Sequence, residues 1–139
     1  SLRHAIPAGI NERVVRNGMP KLGTDLAVPD AALAEMMAAY EACPLEHVLF
    51  GHIGDNHLHL NMLPADEEEF QQAKAYYASL AKQAISLGGT VSAENGIGKI
   101  KKEALLDMLG PDLIHAFRRL KKHLDPNGIL GRGTLFDQT

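Results

Sequence analysis

Apolar positions along the chain change period several times, and each change predicts an element. Leu2, Ile6, Ile10 and Val14 recur at four-residue steps, as on one face of a helix, and Gly18-Met19-Pro20 closes that run. Pro7 predicts a kink or a late start within it. Residues 22–29 (LGTDLAVP) read as a short strand stopped by proline. Asp30 is placed to cap a helix over 31–42, whose Leu33, Met36, Met37 and Tyr40 follow helical spacing, and Pro44 ends it. Residues 47–53 and 58–63 then alternate as two strands. The turn residues Gly54, Asp55 and Asn56 lie between them, which is hairpin spacing.

Asp66, with Glu69 three residues on, resembles a capping box at the head of a long helix. Its apolar stripe is Phe70, Ala73, Tyr77, Leu80, Ala81 and Ala84, and Gly88-Gly89 end it. A short fourth strand is expected at 90–93. Two helices follow, roughly 100–109 and 112–124, divided by Gly110-Pro111. Residues 22–93 thus run β-α-β-β-α-β, the order of the split βαβ, or ferredoxin-like, sandwich. The fold class expected is α+β: that sandwich with an N-terminal helix and two C-terminal helices.

Composition narrows the partners. The 139 residues suit one domain, and 14 Lys and Arg against 17 acids argue against a nucleic-acid surface. No apolar run approaches the ~18 residues of a membrane span. The single Cys43 excludes a disulfide framework. A cytoplasmic location is expected, with the inner face of the membrane as a peripheral alternative. The abrupt start in mid-pattern reads as a piece of a longer chain.

Candidate chemistry concentrates in the hairpin FGHIGDNHLHLNMLP (50–64). If it turns on Asp55-Asn56, His52 stands opposite His59, with Cβ atoms ~4.5–5.5 Å apart. Two imidazoles so placed could share one ion. His57, His59 and Asn61 point to one side of their strand, and Leu58, Leu60 and Met62 to the other. Glu94, in TVSAENGIGK (90–99), is the best third ligand, bracketed by small residues. Two histidines and a carboxylate suit Zn²⁺, with Mn²⁺ and Fe²⁺ as further options. Gly96-Ile97-Gly98-Lys99 lacks the spacing of a phosphate-binding loop.

GHIGDNHLHLNMLP, GGTVSAENGIGKIKKEALLDMLG and LKKHLDPNGILGRGTLF together resemble the C-terminal domain of FAD-linked oxidases. This is the vanillyl-alcohol-oxidase-like flavoprotein group of D-lactate dehydrogenase, the glycolate oxidase FAD subunit and D-2-hydroxyglutarate dehydrogenase. The resemblance covers nearly the whole chain. It implies that the chain is the metal- and substrate-side part of an enzyme oxidising a D-2-hydroxy acid to a 2-oxo acid. FAD would then be bound mainly by a separate N-terminal domain. The family's metal ligands fall on His52, His59 and Glu94, and its substrate-contacting asparagine on Asn61. Its substrate arginine falls on Arg3, and Lys21 stands near a substrate lysine, two residues out of register.

Three departures stand out. Asn95 replaces the family histidine thought to act as base or to sit by the flavin, with Gly96 beside it near the cofactor. The usual GDGN turn reads GDNH, which puts His57 next to the metal pair as a substitute base. The usual NPGK reads Gly131-Arg132-Gly133-Thr134. The competing reading is a non-catalytic domain that binds a metal or hydroxy acid, or serves assembly. Taken alone, the chain is expected to be flavin-free and inactive, and to dimerise through the face left for the FAD domain.

Overall fold

The computed structural model describes residues 2–137, without the side chains of residues 2–7 and Ile53. Helix α1 (Leu2–Asn17) leads into two short strands, β1 (Leu22–Gly23) and β2 (Leu26–Ala27). Helix α2 (Leu33–Glu41) follows, then the hairpin β3 (His47–His52) and β4 (His57–Met62). Helices α3 (Glu67–Ser86) and α4 (Lys102–Leu124) complete the chain.

β1 and β2 are one strand interrupted at Thr24-Asp25. Leu22 pairs with Met62 and Leu26 with Leu58, so the register is the same on both sides of the break. Thr24 causes the interruption, because its hydroxyl takes the N–H of Leu60 in place of a backbone carbonyl. β4 is central, with β3 on one side and the β1–β2 strand on the other, all antiparallel. Beyond Ala27 lies Thr90, joined by one bridge. Counted along the chain, the order is fourth-first-third-second, the ferredoxin-like arrangement. The fourth strand expected over 90–93 is reduced to that bridge, because the next residues turn their N–H groups toward Asp25.

The core lies on one side of the sheet. Leu26, Leu58, Leu60 and Met62 pack there against Met36 and Tyr40 of α2 and Ala73, Leu80 and Ala84 of α3. Burial pushes the Tyr40 phenol up to about 12. The capping pattern at Asp66 holds: its carboxylate accepts the Glu69 N–H, and Glu69 reaches back to the N–H of Ala65. Asp30 does not cap α2. It opens a 3₁₀ turn before that helix, and its side chain accepts from Asn56 at 2.6 Å. α1 runs unbroken through Pro7 and closes at Gly18, whose N–H reaches Val14. In α4, Gly110 at φ 76 and ψ 165 breaks the helix before Pro111, which gives the two segments expected.

Candidate metal and substrate site

The side of the sheet opposite α2 and α3 carries the polar residues, in an arrangement that follows from pairing. Directly opposed residues share a face. Gly23, Asn61 and Val48 therefore form one row across the three strands, and Ala27, His57 and His52 another. Between them, Asp25, His59 and Phe50 make the middle row, with Asp25 placed by the common register and His59 paired to Phe50.

The hairpin register corrects one expectation. His52 stands opposite His57, not opposite His59. The connection takes a 3₁₀ turn over Ile53–Asp55 and then Asn56 at φ 50, so four residues rather than two make the turn. The shift is by two residues, which preserves parity and leaves the same side chains on the same face. Asparagine tolerates this left-handed backbone better than most residues, which suits it to the place where the resembling family has glycine.

His59 has a defined orientation. Its Nδ1 lies 2.8 Å from the carbonyl of Thr24, so that nitrogen carries a proton and donates. Nε2 then presents a lone pair, and it faces Glu94 Oε2 at 3.2 Å. Two acceptors at that distance require either a proton on the ring or a cation beside both. A histidine anchored through its second nitrogen to a backbone carbonyl is also the usual arrangement of a metal ligand. The donor set therefore fits a divalent ion at His59 and Glu94. His52 is exposed, and its ring stacks on that of His57 with centroids 5.9 Å apart.

His57 is buried and edge-on to His59, with centroids 4.4 Å apart. Its Nε2 donates to Asp25 Oδ1 at 3.0 Å. Asp25 is only 3% exposed and was not among the residues expected from sequence. Oδ1 also accepts the N–H of Glu94, while Oδ2 accepts the N–H of Asn95 and the Lys101 ammonium. Burial pushes this carboxyl up, but Lys101 and the two N–H groups outweigh it and hold the pKa below the usual range. On the core side, the buried Tyr77 hydroxyl has no hydrogen-bond partner among the described residues. Burial, and then the Asp25 charge, push its pKa up.

Asp25, His57 and His59 each offer a ligand atom within 4.8 Å of the others. Asp25 is nonetheless poorly suited to ligation, because four donors already fill its lone-pair positions. His59 Nε2 and the Glu94 carboxylate, by contrast, face each other with acceptors open.

Lys21 and Asn61 come together: the ammonium donates to Asn61 Oδ1 at 2.9 Å. A side chain at Gly23 would crowd this amide, since its Cβ would lie 3.1 Å from Oδ1. Val48, opposite Asn61, lines an open cleft of about 710 Å³ under α1, with Ile10, Arg13 and Arg16. Arg13 pairs with Glu46 there. The Arg3 side chain lies outside the described residues. Asn95 and Gly96 are exposed, and the Asn95 carbonyl accepts the Ser92 hydroxyl.

Asp25 had one readable signal. If Leu22, Thr24, Leu26 and Val28 face inward, Asp25 must share the other face. Lys101 had none, being one of several lysines in a polar run.

Fold and site define an α+β sandwich domain whose sheet face opposite α2 and α3 carries clustered imidazoles and carboxylates. The chain belongs to the family of FAD linked oxidases, C-terminal domain, whose sequence profile matches residues 1–135. It is 36% identical over 137 residues to D-2-hydroxyglutarate dehydrogenase of Xanthomonas citri, covering 93% of this chain and 29% of that protein. It is 29% identical over 131 residues to probable mitochondrial D-lactate dehydrogenase of Danio rerio, covering 90% and 26%. Over 118 residues it is 31% identical to a glycolate oxidase subunit of Bacillus subtilis, covering 81% and 25%. The chain thus spans about a quarter of the length of these relatives. None of its described helices is long and apolar enough to cross a membrane.

Proposed function

We propose that this chain is the metal- and substrate-side domain of an FAD-dependent dehydrogenase or oxidase that converts a D-2-hydroxy acid, of D-lactate or glycolate type, to the 2-oxo acid. His52, His59 and Glu94 are the ligands of a divalent ion in this reading, with zinc the best match to two imidazoles and a carboxylate. The observation that carries it is the His59–Glu94 contact, where two lone pairs meet at 3.2 Å with the other ring nitrogen already committed. FAD would be held mainly outside this chain, with Asn95 and Gly96 on the loop nearest to it.

When bound, the ion would supply Lewis acidity toward the hydroxyl and carboxylate of the acid, and the flavin would accept the C2 hydride. The chain's own residues do the rest. Arg3 orients the substrate carboxylate, and Lys21 and Asn61 contact the substrate beside it. His57 takes the hydroxyl proton at Nδ1, because its Nε2–H is committed to Asp25. Exposed Leu120, Leu124, Ile129 and Leu130 support packing against the FAD-binding domain, or against a second copy of the chain when it is alone. A monomer by size exclusion would count against the second. The parent enzyme is placed in the cytoplasm or on the inner face of the membrane.

The test is elemental analysis and turnover of the full-length protein. About one divalent ion per chain is expected, with His59→Ala and Glu94→Gln each losing both metal and D-2-hydroxy-acid oxidation. Unchanged metal content in both variants would overturn the reading. The isolated chain should purify colourless, and a yellow preparation turning over D-lactate would overturn that part.

Asn95 favours a second reading, a domain that binds a hydroxy acid without chemistry. Full-length protein that binds the acid but never reduces its flavin would decide for it.

A further inference from the structure

We infer that Asp25 is the positioning residue of this site: its carboxylate, held by Lys101, fixes the backbone that carries Glu94 and the ring of His57 in a single buried contact. The role at the metal rests on the proposed function; the role in shaping the loop does not.

The geometry is that of an organiser rather than a ligand. Asp25 sits at the break between β1 and β2, opposite His59, where its main chain is free of the ladder with β4. Its own carbonyl accepts the N–H of Ala93 at 3.2 Å. Its two carboxylate oxygens accept the next two N–H groups, of Glu94 and Asn95, at 3.1 and 3.0 Å. Three consecutive residues of the SAENG segment are therefore pinned to one aspartate. This pinning is what stops the fourth strand after Thr90 and turns Glu94 toward His59.

The same carboxylate takes the His57 Nε2–H, which orients the ring beside His59 and His52. Lys101, at the start of α4 and 12% exposed, supplies the compensating charge. A buried carboxylate with donors from a strand, a loop and a helix can hold those parts in one relative position. No shorter or neutral side chain could accept from all four.

The test compares the full-length protein with its Asp25→Asn and Lys101→Met variants, first without metal. Asp25→Asn should speed amide hydrogen exchange at Glu94 and Asn95 by about tenfold or more, while Leu80 and Ala84 in α3 stay protected. Lys101→Met should change the same two amides in the same direction by less. Titration with Zn²⁺ should then show affinity lower by about 10–100-fold in Asp25→Asn, at unchanged stoichiometry.

Unchanged exchange at Glu94 and Asn95 in both folded variants would overturn the inference, as would an increase spread evenly over α3. If Asp25→Asn fails to fold, Lys101→Met decides on the same readout. A role as metal ligand alone would leave metal-free exchange untouched, which also overturns it. Wild-type protein that binds no Zn²⁺ yet shows the exchange change would overturn the metal reading and keep the positioning.

Discussion

Two carboxylates in this chain, Asp25 and Asp125, each gather a pair of backbone N–H groups and one lysine ammonium. Asp125 takes the N–H of Ile129 and Leu130 and the Lys121 ammonium, all within five residues along the chain. Asp25 takes Glu94, Asn95 and Lys101, which lie 69, 70 and 76 residues away. Both are buried, at 7% and 3% exposure. The device is the same, but its reach differs. Asp125 closes a local turn after α4 that its own short segment nearly dictates. Asp25 joins a strand, a loop and a helix that are far apart along the chain. Only Asp25 adds an imidazole, His57. Long reach is what turns a capping device into the organiser of a site.

Removing each carboxylate gives the largest separation between them. Asp25→Ala leaves the Lys101 ammonium, the His57 N–H and two backbone donors without their acceptor in a buried place. Breaking such a pair from one side costs about 3–5 kcal/mol. Asp125→Ala is expected to lower the thermal midpoint less and to leave the amide signals of Glu94 and Asn95 in place, because its partners lie beside solvent and can rehydrate. Denaturant unfolding of both variants, with amide spectra of the folded fraction, checks this. Equal losses would erase the distinction between local and long reach.

How far these joints could be read from sequence follows the same division. The Asp66–Glu69 cap, the α3 stripe and the Gly110-Pro111 break are all written within a few residues, and each appears as expected. The order of elements was enough for the strand order, because a β-α-β-β-α-β chain has few ways to cover one sheet face. The hairpin face was legible through parity, and so Asn61, His57 and His59 share it. The register was not, because nothing in IGDN distinguishes a two-residue turn from a 3₁₀ turn followed by a left-handed Asn56. Asp30 read as a cap because its neighbours suit one, yet Asn56 reaches its carboxylate from another element. Asp25 and Lys101 depend on contacts between distant residues, which local pattern does not encode. Glu94 was found by resemblance and by small neighbours, and its contact with His59 needs the pinned loop.

A functional exchange sharpens the comparison further. If Asp25 orients His57 as base, His57→Asn in the full-length enzyme should lower kcat by about 100-fold, the usual scale of a lost general base. Adding Asn95→His should restore part of that loss, since position 95 rests on the same carboxylate through its N–H. The Asp125 turn offers no such exchange. Steady-state kinetics with D-lactate and with 2-hydroxyglutarate would read it. A double variant no better than His57→Asn, with metal still bound, would remove His57 and position 95 from the proton path.

Acid provides the smallest and most graded separation. For Asp125, the Lys121 hydrogen bond and the Leu130 N–H hold the carboxyl down to about 2. For Asp25, burial works against the donors, and the pKa is lowered by less. Both folded values lie below the ordinary carboxylate value of about 3.9, so each contact stabilises the fold fully above that pH. Each contribution is lost as pH falls through the folded pKa, where the proton that binds displaces a donor. The order of opening follows. Between pH ~5 and ~2, the amide signals of Glu94 and Asn95 should shift first, and those of Ile129 and Leu130 should hold until about 2. The cause is the rank of burial at the two places: it raises both carboxyls, but it is the largest influence on Asp25, whereas the Lys121 hydrogen bond is the largest on Asp125. A titration in which Ile129 and Leu130 move first would mean that depth does not set the difference. Lys121 would then be a weaker partner to Asp125 than Lys101 is to Asp25.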